Sequence, residues 1–576
     1  MASYIMNNTQ KYITKREVLH KRREFANMRE LVEYAAQTYG DKPAYSFKIK
    51  PSDKEKVFVS FKEHAEDIRA LATEFIKRGY TGKHCVVSGK NSYEWILCYY
   101  SLFIAGAVMV PLDRDWLAAD LADTAKRAEC DLLICDGDMT EKAQAIADAT
   151  GITDVYHLAR EGENSIGELV KAGKAAYAEN PNLYAEIEQN PDIMQLLVFT
   201  SGTTGKGKGV MLTQHNVLSD MAELIPYIDF GPKTVGVLPL HHTFGSSVML
   251  VGHMSIGTEH YISSGLRYIQ KEMKEEKPTN MILVPLYLET FYRKIQANIK
   301  AQNKEKLVAR MIKLTTALRK VGIDLRKKVF KSIREAFGGE LKIVICGGAP
   351  LNADIVKFFE AIGINTLNGY GITECAPIIS VNHSRHNIIG SIGFVSGIDE
   401  LKFSDVNEDG EGEICVRGSN VMLGYYNDEA ATADAFDEEG FFKTGDYGRL
   451  GKHNTLFITG RKKNLIILSN GKNVYPEEIE NELMTTPGIL EIVVYEGKSK
   501  RGSEHDAIVA EIYPDADFVK KEGIEDFKSY VQPFVDAYNK GAVHYKKIAV
   551  VKIRDEEFPK TSTRKIQRFK IDTSID

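Results

Sequence analysis

The stretch Leu196-Leu-Val-Phe-Thr-Ser-Gly-Thr-Thr-Gly-Lys-Gly-Lys-Gly-Val-Met-Leu-Thr213 carries the clearest signal in the chain. Its apolar opening, Leu196 to Phe199, reads as a buried strand. The strand enters a loop of glycines, hydroxyls and two lysines, and a second apolar run follows from Val210. Glycines let backbone N–H groups approach a ligand closely. Ser201, Thr203 and Thr204 add hydroxyls, and Lys206 and Lys208 add positive charge. Together these groups make a cradle for phosphate. The segment Gly202 to Lys208 begins like a P-loop, but Gly209 stands where a magnesium-binding Ser or Thr belongs. The run after it reads as a strand, whereas a P-loop requires the start of a helix there.

On the N-terminal side of this stretch, Ile68, Leu71, Phe75 and Ile76 share one helical face. Cys85-Val86-Val87 and Asp131-Leu-Leu-Ile-Cys135 read as strands. On the C-terminal side, Met281-Ile-Leu-Val284 and Leu341-Lys-Ile-Val-Ile-Cys346 continue the alternation. Strands alternating with helices predict an α/β architecture with a largely parallel sheet. From about Glu411 the texture changes to short strands and Gly-rich turns. Near Gly460-Arg-Lys-Lys463 a basic stretch precedes a final region with its own helix and strand pattern. We place a domain boundary there, between residues 1–460 and 461–576.

The 576 residues include 74 Lys and Arg against 79 Asp and Glu, a formal net charge of −5 that argues against a nucleic-acid binder. Hydrophobic residues at 43% and charged residues at 27% exclude a collagen-like, disulfide-scaffold or wholly disordered chain. The seven cysteines are scattered with no CxxC pair, so they read as reduced thiols of a cytoplasmic protein. The basic N-terminus lacks the apolar core of a secretory signal. Trp95 to Leu112 is apolar enough to be weighed as a membrane span. Tyr99 and Tyr100 in its middle, Gly106 and Pro111 favour a buried helix running into a strand.

The loop Thr200-Ser-Gly-Thr-Thr-Gly-Lys-Gly-Lys-Gly-Val210 closely resembles the phosphate-binding loop of the acyl-adenylate-forming superfamily. That superfamily usually has Pro where this chain has Gly207, a departure expected to make the loop more mobile. Further segments resemble the superfamily in order and spacing. They are Leu238-Pro-Leu-His-His-Thr-Phe-Gly245, Cys346-Gly-Gly-Ala-Pro-Leu351, Asn368-Gly-Tyr-Gly-Ile-Thr-Glu374 and Lys443-Thr-Gly-Asp446. Gly460-Arg461, Ser469-Asn-Gly-Lys-Asn-Val-Tyr-Pro476 and Pro559-Lys-Thr-Ser-Thr-Arg-Lys-Ile566 complete the set, which spans the chain from about residue 27. The chain is similar in this respect to bacterial long-chain fatty acid–CoA ligases.

The resemblance implies a large N-terminal domain of layered α/β subdomains plus a small β-barrel-like part, then a small mobile α+β C-terminal domain. It implies ATP-dependent activation of a fatty acid to acyl-AMP, then transfer to the thiol of coenzyme A. A carboxylate must attack an anionic α-phosphate, so such a site concentrates positive charge and holds two anions in line. By resemblance, Thr200, Ser201, Gly202, Thr203, Thr204, Gly205, Lys208 and Thr373 bind phosphates and Glu374 holds Mg²⁺. Gly348, Ala349, Asn368, Gly369, Tyr370 and Gly371 border the adenine, Asp446 the ribose, and Arg461 the ribose or phosphate. Lys565 contacts the carboxylate and α-phosphate, His242 borders the acyl pocket, Lys463 is the hinge, and Gly471 lines the pantetheine tunnel.

Between Tyr287 and Leu341 lies a helical insert resembling that of long-chain members. Leu307, Met311, Leu314, Leu318 and Val321 fall at helical spacing. From Arg293 to Arg334 there are 14 Lys and Arg against two acidic residues, a local charge of +12, leaving −17 for the remainder. This segment reads either as a peripheral membrane contact or as a core-packed helix with a solvated basic face. It would also suit an acidic acyl carrier protein, the alternative thiol acceptor.

Overall fold

The computed structural model describes residues 5–7, 18–200, 207–395, 400–468, 473–497, 507–560 and 566–575. Two large sheets organise the N-terminal four-fifths of the chain. The smaller has seven strands in the spatial order Gly424–Tyr425, Lys208–Thr213, Met194–Thr200, Val108–Pro111, His84–Ser88, Leu132–Cys135 and Asp154–His157. Its last five strands are parallel, and Met194–Thr200 forms an antiparallel hairpin with Lys208–Thr213. The second apolar run is therefore a strand, as the sequence predicts.

The larger sheet has fourteen strands. In its parallel half Asn365–Gly371, Ile343–Cys346, Asn280–Leu283, Lys233–Gly236 and Glu259–Ile262 lie side by side. From Ile378–Val381 onward the pairing turns antiparallel, through Gly393–Val395, Thr455–Arg461, Phe442–Leu450, Gly412–Arg417 and Glu400–Ser404. The expected β-barrel-like part is thus an open antiparallel extension of this sheet. Among the described residues its two edge strands, Ile5–Asn7 and Val57–Ser60, lie at opposite ends of the order, so the sheet does not close.

Local chemistry explains the helices between the strands. Ser60 and Glu63 form a capping box at the start of Phe61–Lys77, and Ile68, Leu71 and Phe75 on one face are fully buried. That helix packs against Ile166–Glu179 so closely that a Cβ on Gly173 would stand 1.9 Å from the Ala70 carbonyl oxygen. The segment weighed as a membrane span is the helix Tyr93–Ile104, buried along its whole length, followed by the strand Val108–Pro111. No described helix is long and apolar enough to cross a membrane. All seven cysteines are buried.

The last region has its own core. Strands Ile489–Gly497, Ala507–Pro514 and Val550–Ile553 form a three-stranded sheet. Helices Pro476–Leu483 and Phe527–Gly541 cover it through Ile479, Leu483, Val531 and Val535.

The insert comprises Pro285–Ala301, Glu305–Lys320 and two short turns to Arg334. Its middle helix buries only part of the stripe read from the sequence: Met311 packs inward and Leu318 is half-buried, but the other three members are exposed. Val308, Met311 and Ile312 pack on the domain core and Thr315 is buried. Leu307 at 52%, Leu314 at 59% and Val321 at 71% are exposed, and Ile323 and Leu325 beyond them are exposed too. Helical periodicity cannot choose between two apolar faces that lie side by side, and the inward one is set by the neighbouring core.

Candidate active site

The carboxyl ends of the two parallel sheets face one another, which is where open α/β sheets hold ligands. Asn91, just past His84–Ser88, joins them. Its Nδ2 donates to the Leu238 carbonyl at 2.8 Å and its Oδ1 accepts from Leu240 N at 3.1 Å. Leu238 to His242 follow the strand Lys233–Gly236 of the other sheet. His241 Nε2 lies 3.8 Å from Asp113 Oδ2, and the His241 and His242 ring centroids are 4.2 Å apart. Burial pulls His241 down to about 4, so it is neutral at pH 7. His242 itself is exposed, at the start of the π-helix Phe244–Gly252.

Two motifs occupy the ends of adjacent strands in the larger sheet. Gly348 and Ala349 follow Ile343–Cys346 and are exposed; Gly348 has φ +83°, which a side chain would strain. Asn368, Gly369, Tyr370 and Gly371 end the strand Asn365–Gly371. Asn368 Oδ1 is buried with no hydrogen-bond partner among the described residues, an acceptor that a ligand donor would satisfy. A Cβ on Gly371 would stand 1.7 Å from the Pro377 carbonyl oxygen, so only glycine fits there. Thr373 and Glu374 follow in a short 3₁₀ turn.

Tyr370 is buried and its hydroxyl donates to Asp446 Oδ2 at 2.7 Å. Asp446 lies opposite Arg461 across two antiparallel strands, and Arg461 Nε pairs with Asp446 Oδ1 at 2.8 Å. Burial raises the Asp446 pKa, opposed by the Arg461 charge and the Tyr370 hydrogen bond. Each carboxylate oxygen retains a lone pair for a further donor.

Glu374 sits on the other side of this strand end. Its Oε1 accepts from Tyr425 Oη at 3.1 Å, and Lys208 Nζ lies 4.6 Å above the Tyr425 ring. Burial raises the Glu374 pKa, which leaves a carboxylate short of compensating positive charge. Tyr425 belongs to the edge strand paired with Lys208–Thr213, so the hairpin of the glycine-rich loop and Glu374 share one support. Leu423 N donates to the Met211 carbonyl, and Met422 N to the Glu374 carbonyl.

The described ends of the glycine-rich loop are Thr200 and Lys208, paired in register. A Cβ on Gly207 would stand 2.3 Å from the Thr200 carbonyl oxygen, so glycine at this point permits the two arms to close. Ser201, Gly202, Thr203, Thr204, Gly205 and Lys206 lie outside the described residues, as do Gly471 and Lys565. Lys560 and Ile566, flanking the Lys565 segment, bridge to each other. Lys463 lies in the turn Lys462–Asn464 directly after Arg461.

Residues 32–426 match the AMP-binding enzyme family, and 463–574 match the AMP-binding enzyme C-terminal domain. This chain belongs to the AMP-binding enzyme family. Within it, long-chain-fatty-acid–CoA ligase 5 of Rattus norvegicus is 29% identical over 506 residues, covering 81% of this chain and 73% of the relative. Long-chain-fatty-acid–CoA ligase FadD15 of Mycobacterium tuberculosis is 28% identical over 456 residues, covering 76% and 75%. ATP-bound MatB from Rhodopseudomonas palustris shares the fold, with TM-score 0.73 at 24% identity over 94% of this chain and 98% of that one.

An AMP-binding enzyme uses ATP, and the donors fit a magnesium nucleotide. Among the described residues no group of three or more acidic, His or Cys side chains could cage a metal. The half-buried carboxylate of Glu374 suits Mg²⁺, which is usually held by one or two carboxylates together with substrate phosphates and water. Sequence reasoning missed Tyr425, which ties Lys208 to Glu374. Its signal was the apolar-aromatic run Met422-Leu-Gly-Tyr-Tyr426, too short to interpret without its pairing partner.

Proposed function

We propose that the enzyme activates a long-chain fatty acid with ATP, forming acyl-AMP and pyrophosphate, and then transfers the acyl group to the thiol of coenzyme A. The observation that carries this reading is the convergence at one strand end of two polar sets: Tyr370–Asp446–Arg461, and Glu374–Tyr425–Lys208. The names of the curated relatives support the substrate class.

In the first half-reaction a carboxylate oxygen attacks the α-phosphorus, the bond to the β-phosphate breaks, and pyrophosphate leaves. Asp446, fixed by Tyr370 and Arg461, accepts ribose hydroxyls, and Asn368 Oδ1 accepts from the adenine amino group. Thr200, Ser201, Thr203, Thr204, Lys208 and Thr373 hold phosphate oxygens, with Gly202 and Gly205 admitting the backbone. Glu374 would hold Mg²⁺, whose charge offsets that of the phosphates. Lys565 neutralises charge developing between carboxylate and α-phosphate, a contact worth about 10²–10³ in rate. His242 borders the acyl pocket. In the second half-reaction the thiolate attacks the acyl carbonyl and AMP leaves. The C-terminal domain, 461–576, turns about Lys463 between the two, and Gly471 leaves room for pantetheine.

The test is to separate the halves. Lys565→Ala is expected to abolish acyl-AMP formation while leaving thiolation of supplied acyl-AMP largely intact. Equal loss of both would overturn the two-conformation assignment.

The exposed Leu307, Leu314 and Val321 within the +12 segment favour a second element of this reading, contact with an anionic membrane surface from which long-chain acids are drawn. A protein acceptor, an acidic acyl carrier protein, is the alternative use of the same surface. Comparing coenzyme A with carrier protein in the thiolation assay separates them.

A further inference from the structure

The glycine-rich hairpin is held from outside by the neighbouring α/β layer. The helix Ala118–Arg127 ends beside the loop, and Arg127 Nη1 donates to the Gly207 carbonyl at 2.8 Å. The same guanidinium lies 5.1 Å above the Phe199 ring, on the other arm of the hairpin. Its Nε donates to Asp123 Oδ2 at 3.0 Å, which fixes the orientation of the fork. One side chain thus grips both arms where they close on the loop, Phe199 by stacking and Gly207 by hydrogen bond.

A second contact secures the next turn of the hairpin. Tyr426 N donates to the Gly209 carbonyl at 2.8 Å, and Tyr426 Oη donates to Glu129 Oε2 at 2.6 Å. Glu129 lies two residues past Arg127. Two of the glycines that let the backbone approach phosphate, Gly207 and Gly209, are therefore each tied by their carbonyls to fixed neighbours. A glycine-rich arm is the most costly kind of segment to order, and an Arg fork is the side chain suited to ordering it without filling the space a phosphate needs.

Resting on the adenylation reading above, we infer that Arg127 is a positioning residue for ATP: it sets the spacing of the loop arms, and so the phosphate cradle, without itself touching substrate. On that reading the acyl pocket is assigned to His242 and the thiol path to Gly471, both far from Arg127 in sequence, so its effect is expected on the nucleotide.

The experiment measures Arg127→Ala and Arg127→Lys in the full-length enzyme, with ATP binding followed directly by titration as well as by steady-state exchange. For Arg127→Ala the expected result is a Kd and KM for ATP raised about tenfold or more, with KM for the fatty acid changed less than about twofold. Thiolation of supplied acyl-AMP should keep its wild-type rate. Arg127→Lys retains a donor but cannot stack and pair at once, so it should fall between the two; it also serves if the alanine variant does not fold. An unchanged Kd for ATP, or equal changes in KM for ATP and acid, would overturn the inference. Because the titration needs no turnover, an enzyme that binds ATP but activates no acid would refute the adenylation reading alone.

Discussion

Asp446 and Arg461 are direct cross-strand partners, joined at 2.8 Å, and Tyr370 holds the second oxygen of the same carboxylate at 2.7 Å. The carboxylate is almost fully buried, so its position depends on these two donors. Tyr370→Phe removes one of them and leaves the ring in place. A lost hydrogen bond to a charged group costs about 1.5–3 kcal/mol. The variant should therefore unfold at lower urea and show a raised KM for ATP with an unaltered KM for the acid. Wild-type values for both would show that the hydroxyl does not hold Asp446.

Glu374 sets stability against activity. Burial raises its folded pKa above the ordinary 4.5, so near pH 7 the folded state pays for a charge that the unfolded chain carries freely. Glu374→Gln removes that charge and keeps an oxygen to accept from Tyr425. Without nucleotide, its melting temperature should rise by about 1–3 °C. Pyrophosphate exchange should fall at least about a hundredfold. A lower melting temperature would mean that Glu374 supports the fold rather than the ligand.

Three buried histidines and the half-buried His241 set the acid limit of the fold. Burial depresses His64 and His260 to about 3 and His241 and His253 to about 4, from an ordinary 6.5. As pH falls below 6.5 the unfolded chain takes up protons that the folded protein refuses. The stability these groups confer is complete above 6.5 and is lost on descending toward 4 and then 3. Each contributes a slope of up to about 1.4 kcal/mol per pH unit in that window. Urea unfolding between pH 7.5 and 5 should show a steep fall below 6.5, reduced in His260→Gln. A flat profile would contradict the neutral assignment.

What the sequence made legible follows from the range of each interaction. The strand–loop–strand at Leu196 to Thr213, the strands at Cys85 and Leu132, and the buried helix after Tyr93 are written in local apolar patterning. The motif residues Tyr370, Asp446 and Glu374 were legible because each motif is contiguous. Arg127 and Tyr425 were not, because they reach the loop from 80 residues away and through strand pairing far along the chain. The β-barrel-like part was implied by the resemblance, and the short strands and turns after Glu411 could not test it because they carry no record of closure. The stripe Leu307, Met311, Leu314, Leu318 and Val321 was legible as helix, but the exposure of Leu307, Leu314 and Val321 depends on Met311 packing inward beside Val308 and Ile312.

The exposed stripe makes a prediction of its own. Leu307→Ser, Leu314→Ser and Val321→Ser together should leave the fold intact, since these side chains are exposed. Co-sedimentation with vesicles containing anionic lipid should drop several-fold and should weaken with salt in the parent protein. Equal binding to neutral vesicles, or none to either, would remove the membrane from the account.

Carboxylate-dependent ATP–pyrophosphate exchange, measured over straight-chain acids from acetate to oleate, tests the central claim most directly. The account predicts exchange that requires an added acid and is strongest with long-chain acids. Exchange with none of them by a protein that binds ATP, or a preference for acetate, would contradict it.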